Sequence, residues 1–129
     1  MTEFLRTRVS YDGNETRPQH YPELPEPLEV GTYDNHTHLE IADGDTPLTV
    51  AEHLSLMNQV GMLGAVQVGV TLESSKWSAQ VASENRMLLA AVALHPNEAP
   101  LYETKPALDA AVAEIAELAS QSRVRAIGE

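Results

Sequence analysis

Two imidazoles and a carboxylate alternate in the segment YDNHTHLE, as Asp34, His36 and His38. If this segment is extended, all three point to one face, with successive members about 6.6 Å apart at roughly 3.3 Å per residue. Two imidazoles on one strand face can converge on a single cation, and Asp34 could orient a histidine or bridge a second metal. The competing reading is an exposed strand end with incidental polar residues. His95 closes the apolar run in AVALHPNEAP, and Glu129 ends the sequence in RVRAIGE. His95 could bind substrate oxygens or be a loop residue bonded to backbone. Imidazole nitrogens with a carboxylate oxygen suit zinc, manganese or magnesium sites used in hydrolysis.

These residues need elements to position them, and the chain supplies an alternating series. Thr32 to Leu39 reads as a short strand, followed by the loop IADGD with Gly44 as breaker. Thr46 and Pro47 have the chemistry of a helix start. Val50, Leu54, Met57 and Gly61 follow at helical spacing, with Gly61 as the stop. His53 beside that stripe reads as an exposed helical histidine. GAVQVGV, from Gly64 to Val70, is nearly all apolar and β-branched, as a strand covered on both faces should be. A second helix is expected over Ser74 to Asn85, with Trp77 and Val81 in the core.

LLAAVAL, from Leu88 to Leu94, could be helix or strand, and the following His95-Pro96 favours strand. Pro106 opens a third helix whose apolar face is Leu108, Val112, Ile115 and Leu118, opposite Asp109, Glu114 and Glu117. RVRAI is the fourth strand. The order β, α, β, α, β, α, β predicts an α/β fold with a parallel sheet built of right-handed crossovers. Neither a dinucleotide-binding glycine fingerprint nor a phosphate loop follows a strand. The expected architecture is therefore a partial TIM-type barrel of about four strands and three helices, incomplete at the C-terminus. Active sites of such barrels collect at the carboxyl ends of the strands, where His36, His38, His95 and Glu129 all fall.

Residues 1–30 differ from 31–129. Four of the eight prolines lie between Pro18 and Pro27, with charges between them and no apolar period. Such a segment reads as an extended or disordered arm. His20 in it reads as a solvated loop residue, while Tyr21 and Leu24 could dock on the domain. The whole chain has 129 residues, 43% of them apolar, which is one domain or less and excludes a wholly disordered chain. It has no cysteine, hence no thiolate site, and a reducing cytoplasm fits. No run of 18 apolar residues offers a bilayer span, and MTEFLRTRVS lacks the apolar core of a secretory signal. Nineteen acids against eight bases give a formal charge of −11, poor for steering a polyanion. A phosphate-ester ligand would need a divalent metal to supply positive charge.

YDNHTHLE is similar to the opening His-x-His motif of the TatD-type metal-dependent hydrolases, AVALHPNEAP resembles that family's second signature, and VRAIGE its third. The resemblance covers about residues 31 to 129. It implies a TIM-type barrel with one or two divalent ions (magnesium, manganese or zinc). It also implies hydrolysis of phosphodiester bonds in DNA, or of other ester substrates in some relatives. By matching position, His36, His38 and Glu129 would be metal ligands and His95 would lie on the substrate side. Many relatives have a histidine where this chain has Asn97. Family members extend further, with two more histidines and an aspartate on later strands, so the expectation is a truncated form lacking part of the active site and its general base. Two alternatives remain beside it: a hydrolase of other ester or C–N bonds on the same barrel, and a non-catalytic half-barrel that associates through open sheet edges. The oligomeric state is not legible in the sequence.

Overall fold

The computed structural model describes residues 6–7, 21–42 and 46–128. The expectations for His20, Gly44 and Glu129 concern positions outside the described residues.

Four strands form one sheet: β1 (Thr32–Thr37), β2 (Met62–Val68), β3 (Leu88–Val92) and β4 (Val124–Ile127). They lie side by side in chain order and every neighbouring pair is parallel. Three α-helices, α1 (Val50–Gln59), α2 (Leu72–Glu84) and α3 (Lys105–Ala119), alternate with them among the described residues. The protein is thus α/β, with the sequential parallel order of a partial TIM-type barrel. A short parallel pairing of Arg6–Thr7 with Ile41–Ala42 lies apart from this sheet. Among the described residues no helix is long and apolar enough to cross a membrane.

The ambiguous run LLAAVAL is a strand. Leu88, Ala90, Ala91 and Val92 are all buried, which a strand covered on both faces requires. Behind it, α2 contributes Trp77, Val81 and Ala82 to the core, with Ile115 of α3 and Val124 of β4. Arg123, just before β4, donates to the carbonyls of Ala82, Arg86 and Leu88. It thereby satisfies the Ala82 carbonyl, which the end of α2 leaves open, and ties it through the loop to the start of β3.

Three expectations about helices need correction. First, α1 begins at Val50, not at Thr46-Pro47. Thr49 is the N-cap because Glu52 stands three residues on: Thr49 Oγ1 accepts from the Glu52 amide at 3.1 Å, and a Glu52 carboxylate oxygen accepts from the Thr49 amide at 2.7 Å. Gly61, with φ +81°, does end the helix as expected. Second, Val112 of α3 is 53% exposed, and Ala111 takes its place beside Ile115. The buried face is centred between Ala111, Ile115 and Leu118, and residue 112 is rotated about 100° from residue 111 at 3.6 residues per turn.

Third, His53 is half-buried rather than exposed. The ring of Tyr21 stands edge-on to it, centroids 6.1 Å apart at 79°. Tyr21 lies within residues 21–30, which have neither helix nor strand and whose Leu28 amide donates to the Val60 carbonyl at 3.0 Å. Burial lowers the His53 pKa from the ordinary histidine value of 6.5, partly offset by the nearby Glu52 carboxylate.

Candidate metal centre

β1 does not alternate regularly. Asp34 faces Ala65 and Thr37 faces Gln67, so three steps along β1 match two along β2. That extra residue is a bulge, the device by which strands re-aim side chains. Asp34 supplies the local cause: its Oδ1 accepts the His36 backbone N–H at 3.0 Å, giving that amide a partner outside the ladder. The carboxylate therefore engages the His36 main chain, and the regular alternation from Asp34 through His36 to His38 is interrupted between Asp34 and Thr37.

The two imidazoles nevertheless meet. His36 Nε2 and His38 Nε2 are 3.2 Å apart, with ring centroids at 5.1 Å and planes at 72°. His38 Nδ1 lies 3.0 Å from the carbonyl oxygen of Val68, at the end of β2. That oxygen can only accept, so Nδ1 carries the proton and Nε2 presents its lone pair toward His36. His36 is exposed, while the His38 side chain keeps 23% of its surface open. A single cation bound to both nitrogens at 2.0–2.1 Å would subtend about 100° at 3.2 Å separation, near the tetrahedral and octahedral values. Separation, tautomer and access therefore fit a divalent cation. Among the described residues, no three His, Asp or Glu side chains gather at ligating distance, so the structure brings together His36 and His38 and no more. The position expected to complete them, Glu129, lies outside the described residues.

His95 follows the end of β3, half-buried, with its amide donating to the Val70 carbonyl at 2.8 Å. Its Nδ1 accepts from the Asn97 backbone N–H at 3.0 Å. In the neutral ring that leaves the proton on Nε2, making it a hydrogen-bond donor. Asn97 thus acts here through its main chain, setting the tautomer of His95.

Sequence reasoning passed over a buried polar seam beneath the histidines. Glu40 and Gln67 are 0% exposed, as are Ser75 and Ser78. Gln67 Nε2 donates to Glu40 at 2.7 Å and to Ser78 at 3.2 Å. Its Oε1 accepts the Leu39 amide at 2.7 Å. The other Glu40 oxygen lies 3.5 Å from His38 Nδ1. One signal was visible, a lone glutamine inside the apolar run GAVQVGV, since a buried amide must have partners.

A parallel βα series carrying a metal-competent histidine pair at the carboxyl end of its first strand belongs, by fold and site, with the α/β barrels that work from their strand ends. The family of TatD related DNases matches residues 33–129, and this chain belongs to that family. It is also 37% identical, over 99 residues, to the "Uncharacterized metal-dependent hydrolase TatD" of Mycobacterium tuberculosis. The matched stretch covers 74% of this chain and 34% of that relative, so the chain spans about a third of the relative's length.

Proposed function

We propose that this chain carries the His-x-His elements of a metal-dependent hydrolase that cleaves phosphodiester bonds of DNA. Family membership and the relative's name support the class. The observation that carries the reading is the pair of Nε2 atoms 3.2 Å apart, with the His38 tautomer set by Val68. His36 and His38 would hold a divalent ion of magnesium, manganese or zinc, joined by Glu129 as the resemblance implies. A bound ion of this kind supplies Lewis acidity and a nucleophilic water at neutral pH.

The chain's own groups do the rest. Val68 and the bulge at Asp34 orient the two rings. The His95 Nε2–H donates to an oxygen of the substrate, a role consistent with its Nδ1 being engaged by Asn97. A formal charge of −11 favours, as a second reading, a small ester or C–N substrate on the same centre over a long polyanion.

Zinc and manganese titration by calorimetry tests the centre. Loss of an outer partner of a ligand costs about 10–100-fold in metal affinity, so His36→Ala and His38→Ala should each cost at least about that. Unchanged affinity in both variants would refute the reading. Cleavage of a DNA oligomer, compared with a small phosphodiester and an amide in the presence of manganese, separates the two substrate readings.

A further inference from the structure

We propose that Gln67 is a positioning residue for the metal centre, holding His38 through the main chain on one side and through Glu40 on the other. This rests on the reading of His36 and His38 as metal ligands. Gln67 sits near the end of β2, beside Val68, and is 0% exposed. Its two ends have partners of fixed polarity. The Leu39 amide can only donate, so the oxygen of the glutamine must face it; the nitrogen then faces Glu40 and Ser78. The amide cannot flip without placing N–H against N–H.

Those contacts bracket His38. Leu39 and Glu40 follow it directly, and Val68, which takes its Nδ1–H at 3.0 Å, follows Gln67 directly. One buried side chain therefore fixes the peptide after the histidine and the carboxylate whose second oxygen stands 3.5 Å from Nδ1. The histidine follows a strand with no buried side chain and is itself only part-buried, so the polar contacts beside it help to fix its ring. Outer partners of this kind set ring orientation and ligand basicity.

The chemistry required at position 67 is one acceptor and one donor at the reach of a glutamine. Gln67→Leu keeps the bulk and removes both. The pair Glu40→Gln with Gln67→Glu exchanges polarity instead: residue 67 still accepts from Leu39, and residue 40 now donates to it while its oxygen still faces His38. Two readouts apply to the folded chain, checked by circular dichroism. One is zinc affinity by calorimetry, using the metal alone. The other is the nitrogen-15 shift pattern of His38 without metal, which reports its tautomer.

Gln67→Leu should lose about 10–100-fold in zinc affinity and lose the pure Nδ1–H pattern of His38. The double variant should stay within about threefold of the parent, well inside that range, and keep the pattern. Parent-like affinity and tautomer in folded Gln67→Leu would overturn the proposal, as would a folded double variant that loses both. Should Gln67→Leu not fold, the double variant decides alone. If the parent binds no zinc, the metal reading fails, and the tautomer readout still tests Gln67.

Discussion

Ser75 is the point where α2 is fastened to the end of β3, and its hydroxyl does the fastening in both directions. Ser75 Oγ donates to the Ala93 carbonyl at 2.9 Å and accepts from the Ala93 amide at 3.0 Å. The side chain is 0% exposed, so no water can replace it. Ser75→Ala strands a buried donor and a buried acceptor, each costing about 1–3 kcal/mol. Alanine returns at most about 0.5 kcal/mol through its helix propensity. The net expectation is a loss of about 1.5–6 kcal/mol, several times the cost of an ordinary surface change. Ser83→Ala on the same helix is the control, because its exposed hydroxyl bonds only to the Gln80 carbonyl and the propensity gain is the same. Urea denaturation of both variants, compared at unchanged m, isolates the buried bonds. A difference between the two below about 0.5 kcal/mol would refute the reasoning.

Gly69→Ala should be destabilising by about 1–3 kcal/mol, because a Cβ there would stand 2.5 Å from Ser75 Cα and 2.6 Å from its Oγ; a thermal midpoint equal to the parent's would exclude so close an approach. Stability should also fall on the acid side through His53, whose folded-state pKa lies below the ordinary 6.5 because burial disfavours the charged ring. The unfolded chain then takes the proton first, so this contribution is complete above about pH 6.5 and is lost as pH falls through the lower folded value. His53→Phe should flatten that part of the stability curve while retaining the contact with Tyr21, and an unchanged slope would count against it.

The sheet order was legible because the signals for it are local. GAVQVGV is an apolar, β-branched run, LLAAVAL is stopped by His95-Pro96, and the helices between the strands carry hydroxyl caps and a stripe. The start of α1 was misplaced at Thr46-Pro47, although the signal for Thr49 was local: it has Glu52 three residues on, whereas Thr46 has no acid at that spacing. Other features depend on residues far apart. The alternation of YDNHTHLE argues for one shared face, and only the register against β2 reveals the bulge. Gln67 meets Glu40 across 27 positions, a distance at which periodicity carries no information. The ring contact of His53 with Tyr21 crosses to a proline-rich segment that has no period of its own. Convergence of His36 and His38 was anticipated on alternation, yet it occurs in a strand whose alternation is interrupted.

That combination shows how the histidine pair is held. β1 has no buried side chain between Thr32 and Thr37, whereas β3 buries four of its five. Apolar packing therefore secures β3, whereas β1 relies on its ladder to β2, on Leu39 packed into the core just after it, and on polar contacts: Asp34 on the His36 amide, Val68 on the His38 ring, Gln67 on the Leu39 amide. Each of these polar contacts is a single directional bond worth about 1 kcal/mol net, against a core anchored by Trp77 at 5% exposure. Local opening follows the weaker bonds, so the histidine pair loosens before the core does. A cation shared by both rings would oppose that loosening, because it binds only when the two Nε2 atoms are together and stabilises the strand by mass action.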